Sequence, residues 1–453
     1  MKDILKNLQA NLNKSRETNI VPGAAIAVYQ DGQLFEAASG IVSNLSQVAV
    51  TDDSLFNIGS ISKLFTATQI LQLTEQKLLS LDDPVARYLP EFDHQSKTIT
   101  LAQLITHTSG LAGDFFKDTG PGDDCLLRYA KDCSDLPMAH PVGEAFSYCN
   151  TGYSLLGGVI QKITGQTWEK SVEDMILKPL GIKKYALLPE QALPHRASVG
   201  HYQDPVTGAL SVMPLGFRSM GPGGSRLMLS PKELLVFARS FFPNMRGNSD
   251  QNLLLPGTID DMLKPVIDLS FTSNVKAWGL GWTRFDWSGQ NVPGHDGGTA
   301  GMLSQLRVVP EKNMAVALMS NGPGGGKIFR DIAGPLMTEL ADVTIPSPPI
   351  ASGNLSFDLM AYAGCYRRYG MQVEINVTGN DMTAVISSRD GEINVPEPLT
   401  VNLSPITKEI FLAHIPGVAV PTELNFHTFD QDGKPQYLYS MFRAMKRVSL
   451  GNS

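Results

Sequence analysis

Only four cysteines occur among 453 residues (Cys125, Cys133, Cys149 and Cys365), too few for a fold built on disulfides. No run of about 20 apolar residues is present, so no stretch has the length of a bilayer-spanning helix. There is no Lys/Arg block. The 37 basic and 44 acidic residues give a net charge of −7, and without a basic stripe to neutralise phosphates a nucleic-acid partner is excluded. No His/Cys/Asp set has zinc spacing, and His-Glu-x-x-His does not occur. Gly322-Pro323-Gly324-Gly325-Gly326-Lys327 lacks the Ser/Thr that follows the lysine of a phosphate-cradling loop. Neither a metal nor a cofactor is expected. The Gly-x-Ser-x-Gly elbow of α/β-hydrolases is also missing. What is present, 42% hydrophobic and 18% charged residues, fits a globular protein of two to four domains. Met1 to Leu8 reads as the start of an amphipathic helix rather than a secretory h-region, which makes a cytoplasmic protein the expectation.

The chain divides near residue 345. Ahead of that point, Ala24–Tyr29 and Leu34–Ala38 flank Asp31-Gly32 as a β-hairpin, and Leu303–Val309 and Met314–Met319 form another around Pro310–Asn313. Helical spacing marks Ile61–Leu79, Leu101–Ile105, Tyr153–Ile163 and Pro231–Phe241, the last with Ser230 as N-cap and Pro231 at the first helical position. Strands at both ends of a helical middle point to one sheet with edges drawn from distant parts of the chain. Residues 345–353, rich in Pro and small side chains, read as a linker. Beyond it come short alternating runs (Gln372–Val377, Gln436–Met441) split by turn signals at Gly379-Asn380-Asp381, Asp390-Gly391 and Asp432-Gly433. That texture predicts a small all-β barrel or sandwich of about 100 residues. Tyr366, Arg367 and Arg368 near its start read as surface residues as readily as functional ones.

One local pattern carries chemistry. Gly59-Ser60-Ile61-Ser62-Lys63 opens a helix, and a spacing of three puts Lys63 beside the Ser60 hydroxyl. Serine is a weak nucleophile without an adjacent base. Lysine serves as that base only when burial or neighbouring charge keeps it partly neutral. Ser-x-x-Lys occurs by chance in most chains of this length, so alone it decides nothing. Its company does: Tyr148-Cys149-Asn150 at the mouth of a second helix, then His295-Asp296-Gly297-Gly298 before a strand. Supporting segments are Leu104–Leu111, Pro222–Ser225 and Trp278–Trp282.

In this order the motifs resemble the three signatures of the penicillin-recognising serine hydrolases: class C β-lactamases, DD-peptidases, D-aminopeptidases and family VIII carboxylesterases. The resemblance runs from about residue 20 to 340. It implies an α+β fold, with a β-lactamase/transpeptidase-like domain over residues 1–344 (antiparallel sheet flanked by helices, plus a helical subdomain). A C-terminal barrel would follow over 354–453. It also implies Ser60 as nucleophile, Lys63 as base or relay, and Tyr148 as the second acid/base. Asn150, His295 and Gly297 would bind substrate, and the N–H groups of Ser60 and Gly298 would form the oxyanion hole. Which of Lys63 and Tyr148 deprotonates Ser60 stays open. His295 replaces the lysine of Lys-Thr-Gly, and a histidine is mostly neutral near pH 7 unless Asp296 raises its pKa, so efficient penicillin hydrolysis is not expected. Gly122-Asp123-Asp124-Cys125 through Cys133, and Ser147–Asn150, further resemble the penicillin-binding-protein-type thioesterases that release and cyclise nonribosomal peptides and carry a lipocalin-like barrel. The implied substrate is a small-molecule or peptidyl ester, thioester or amide, including one delivered on a carrier protein. Family VIII-type ester hydrolysis with weak β-lactamase activity is the alternative, and an inactive scaffold relative the remote one. Cys125 and Cys133 read as free thiols, Cys149 as a small buried side chain. Oligomeric state is left open.

Overall fold

The computed structural model describes residues 2–204, 207–245, 252–347, 349–350, 357–389, 397–415 and 421–448. Its first unit is built on an eight-stranded sheet. β1 (Gly23–Gln30) and β2 (Gln33–Gly40) form the expected hairpin. The other strands are β3 (Ile267–Asp268), β4 (Ala277–Trp278), β5 (Thr283–Trp287), β6 (Gln290–Thr299), β7 (Met302–Val309) and β8 (Met314–Ser320). The order is β2-β1-β8-β7-β6-β5-β4-β3, and every pairing among the described strands is antiparallel. The N-terminal hairpin therefore docks on the last strand, Ala24 opposite Ser320 through Gln30 opposite Met314, and its own β2 becomes one edge.

β1 and β8 are apolar on both faces because both faces are covered. Ala25, Ala27, Ala315, Ala317 and Met319 pack against the helical middle. Ile26, Val28, Val316 and Leu318 pack against the terminal helices α1 (Leu8–Thr18) and Gly325–Ala341 through Leu8, Leu12, Phe329 and Leu336. In the middle lie α2 (Ser62–Glu75) and α3 (Asn150–Thr164). α2 is buried nearly all round, from Ser62 to Leu73, which explains why its apolar spacing shows no polar face. It ends at Glu75, short of the expected Leu79, and Lys77 just beyond takes a left-handed backbone (φ 59°). α3 begins at Asn150 rather than Tyr153, capped by the Cys149 side chain, whose Sγ accepts from the Gly152 N–H at 3.2 Å. Leu101–Ile105 is helical as expected, and Pro231–Arg239 stops two residues early, with Ser230 accepting from the Glu233 N–H. All four cysteines are free and buried.

The second unit is a closed antiparallel barrel of eight strands in chain order: β9 (Gly364–Arg368), β10 (Met371–Thr378), β11 (Asp381–Ser388), β12 (Leu399–Pro405), β13 (Ile410–His414), β14 (Thr422–Phe429), β15 (Pro435–Ser440) and β16 (Arg443–Val448). Side chains fill its interior. Tyr362, Phe411 and Phe426 lie with ring centroids 4.9–5.1 Å apart, and Tyr366 is fully buried beside them rather than on the surface. Of the expected linker, Pro348 and residues 351–353 lie outside the described residues, as does the turn signal Asp390-Gly391. No described helix is long and apolar enough to cross a membrane.

Candidate active site

Ser60 sits in a 3-10 turn, Gly59–Ile61, that opens α2. Residues i and i+3 eclipse in such a turn, so the spacing that suggested a shared helical face still brings Lys63 Nζ to 3.2 Å from Ser60 Oγ. Backbone crowds the turn on two sides. A β-carbon at Gly59 (φ +55°) would lie 2.7–2.9 Å from Gly297 and Gly298, and one at Gly297 would lie 1.9 Å from the Ile58 carbonyl oxygen. Glycine alone lets β6 run flush against the Ser60 turn, with Gly297 and Gly298 seated on Gly59.

Lys63 is fully buried in the second position of α2. Its Nζ donates to Asn150 Oδ1 at 2.7 Å and to the Gly223 carbonyl oxygen. Nζ also donates to Ser60 Oγ at 3.2 Å; once the amine has given up a proton it has two N–H donors and one lone pair, and that contact can then reverse so that the serine hydroxyl donates. Burial, and then the Arg443 guanidinium, hold the Lys63 pKa well below the usual lysine value. The site therefore holds a buried amine, its pKa depressed, within hydrogen-bonding distance of a serine hydroxyl. The Asn150 amide is oriented in turn by Asp114, which accepts from its Nδ2 at 3.1 Å.

Tyr148 lies across the turn, its ring centroid 4.8 Å from Lys63 Nζ. Its hydroxyl is within hydrogen-bonding reach of Ser60, yet burial raises the phenol pKa far above its ordinary value. A neutral phenol, not a phenolate, is the resting form. His295 is only 3% exposed, and it is not among the residues lining the pocket that opens at Ser60. Its Nδ1 donates to the Asp296 carbonyl oxygen at 2.7 Å, and burial followed by the charge of Lys63 pushes its pKa down to about 4. The Asp296 carboxylate cannot reverse that, because it is bidentate to buried Arg307 at 2.6 and 3.1 Å. His295 is thus a neutral imidazole and supplies no cation for a substrate carboxylate.

A cation lining the Ser60 pocket comes from the barrel. The two-residue turn Met441-Phe442 between β15 and β16 reaches into the catalytic unit, where the Tyr148 N–H donates to the Phe442 carbonyl oxygen at 2.8 Å. The next residue, Arg443, lies with its guanidinium 5.0 Å from the Tyr148 ring centroid and forks onto Asp114 at 2.7 and 3.0 Å. Arg368, read from sequence as readily as a surface residue, approaches the same carboxylate at 3.4 Å. Arg443 lines the pocket at Ser60 with Phe116, Asn150, Phe217, Met220 and Thr299, around a cavity of about 330 Å³. Arg443 and Asp114 were missed by sequence reasoning. Asp114 carries a weak signal three residues past the Leu104–Leu111 segment, whereas Arg443 carries none. No group of three or more metal-ligating side chains occurs among the described residues.

A serine turn, a dry lysine and a flush glycine strand on an antiparallel sheet define a class, and the family comparison agrees. A family model described as Beta-lactamase matches residues 8–334, and the chain belongs to that family of serine hydrolases. Among curated proteins, Penicillin-binding protein 4 of Amycolatopsis lactamdurans is 37% identical over 376 residues, covering 80% of this chain and 97% of that protein. Among solved structures, SurE with D-Leu superposes with a TM-score of 0.79 at 26% identity, covering 98% of this chain and all of the other, barrel included. An octameric penicillin-binding protein homologue from Pyrococcus abyssi shares the fold (TM-score 0.66, 22% identity, 97% and 99% covered).

Proposed function

We propose that the protein is a serine acyl-enzyme hydrolase or acyltransferase acting on peptidyl esters, thioesters or amides. Its reaction is release or macrocyclisation of a nonribosomal peptide, or hydrolysis of a peptide with D-configured residues. The observation that carries this reading is the fully buried Lys63 amine, hydrogen-bonded to Asn150 and Gly223 and lying 3.2 Å from Ser60 Oγ. Lys63 takes the Ser60 proton as Oγ bonds to the substrate carbonyl carbon. The oxyanion lies between the N–H groups of Ser60 and Gly298. Collapse breaks the bond to the thiol, alcohol or amine, which leaves with a proton passed through the Tyr148 hydroxyl. In the second half, water or the peptide's own amine attacks the acyl-enzyme, loses its proton by the same route, and returns Ser60 to its hydroxyl form.

Two features support a peptidyl substrate over a small ester. The pocket joins apolar Phe116, Phe217 and Met220 to the permanent cation of Arg443, a combination suited to an apolar residue with polar backbone. Likeness to SurE with D-Leu over the whole chain supports a D-configured residue at the acylating position. The test is incubation with peptidyl thioester mimics ending in D-Leu or L-Leu. A cyclic product from the D-ester is expected. Free acid alone would assign a hydrolase, and no turnover of either by protein that still acylates at Ser60 would refute the peptidyl substrate.

A further inference from the structure

Tyr148 is held from two sides by residues in an unfavourable backbone conformation. On one side is His107, fully buried with φ 59°. Its carbonyl oxygen accepts from the Ser147 N–H at 2.8 Å and its Nδ1 from the Cys149 N–H at 3.0 Å. Its ring packs on the Tyr148 ring at 4.4 Å, with Trp278 at 4.8 Å and Tyr153 at 5.2 Å. On the other side is the barrel turn, with Met441 at φ 49° and Phe442 at φ 67°. A two-residue hairpin turn of this type normally carries Asn or Gly, because a left-handed bulky residue sets its β-carbon against the following carbonyl oxygen. Such strain persists only where surrounding contacts over-determine it, and it gathers at functional sites.

We propose that His107 is a positioning residue: as a neutral imidazole it fixes the Ser147–Cys149 segment from behind while the barrel turn fixes it in front, holding the Tyr148 hydroxyl at Ser60. The inference rests on the acyl-enzyme reading above. The tautomer follows from geometry. Nδ1 accepts from Cys149, so the proton sits on Nε2, which has no partner among the described residues. Protonating Nδ1 would set two N–H groups against each other. Burial, then a protonated Lys63, the titratable His295 and the Arg443 guanidinium, oppose that protonation as well.

Two measurements test this. The first compares His107→Phe, which keeps a ring but removes the acceptor, with His107→Asn, which tolerates the left-handed backbone and restores an acceptor. His107→Phe is expected to lower kcat on an activated ester about 100-fold, the scale for an ångström-level misplacement, with KM changed less than about threefold and with substantial rescue in His107→Asn. Wild-type kcat in His107→Phe, or equal losses in both variants, would overturn the proposal. The second needs no variant to fold: 15N NMR of histidine-labelled wild-type protein is expected to show His107 as the Nε2–H tautomer throughout about pH 5–8. A protonating His107, or the Nδ1–H tautomer, would overturn it. If wild-type Ser60 fails to acylate, the functional reading falls, while the tautomer result still judges the His107 geometry.

Discussion

Replacing Arg443 by Met removes the central contact between barrel and catalytic unit while keeping much of the side-chain volume. Asp114 then loses two charge-assisted hydrogen bonds, at 2.7 and 3.0 Å, and keeps only Asn150 and Arg368, the latter at 3.4 Å. Its side chain is 11% exposed, so water replaces the lost partner only in part. Breaking one member of a buried pair costs about 3–5 kcal/mol. Asp114→Asn leaves two arginines facing a neutral amide and is expected to cost less, because Arg443 also stacks on Tyr148 and lines the open pocket. The double variant should fall well short of the sum, with a coupling of at least about 2 kcal/mol. Urea unfolding of the four proteins, followed by tryptophan fluorescence, measures this cycle. A second readout is the pH dependence of acylation. Arg443 is the largest charge effect lowering the Lys63 pKa, so its loss favours the protonated amine, and the rising limb of the rate should move to higher pH. Additivity within about 0.5 kcal/mol, together with an unmoved pH profile, would refute the view that the barrel is part of the site.

Lys63→Arg is expected to acylate as poorly as Lys63→Ala, about 10²–10⁴-fold below wild type, because a guanidinium stays charged. Stopped-flow measurement of acylation checks this. His295, with its pKa pushed down to about 4 from 6.5, binds a proton more readily unfolded than folded between those values. Stability should therefore fall as pH drops through that window, by about 3 kcal/mol, and His295→Asn should flatten the loss in urea melts at pH 7 and pH 4.5. Gly297→Ala puts a β-carbon against the Ile58 carbonyl oxygen and should slow acylation about 100-fold. Gly289→Ala, open on all sides but at φ +72°, should cost about 1 kcal/mol of stability and leave acylation untouched.

Local chemistry was readable and long-range chemistry was not. The hairpins around Asp31-Gly32 and Pro310–Asn313 declared themselves because alternation and turn residues lie within a few positions. Ser60, Lys63, Tyr148, Asn150 and Gly298 were nameable because each sits in a short motif at an element end, and the fold brings Lys63, Asn150, Tyr148 and the Gly297–Gly298 strand to the Ser60 turn. The end of α2 was misplaced because Leu78 and Leu79 continue the apolar spacing past a turn closed by Lys77, with no glycine to mark it. The Met441-Phe442 turn has no glycine or asparagine either, so nothing local distinguished it from strand. Asp114 and Arg443 stand 329 positions apart in the chain, and only docking of the barrel makes them one site.

The central claim is that Ser60 becomes acylated. Intact-protein mass spectrometry after exposure to a fluorophosphonate or an activated ester tests it, with Ser60→Ala treated in parallel. One adduct per chain on the wild type and none on the variant is the predicted result. An unlabelled wild-type protein, or a variant labelled as readily as wild type, would contradict it.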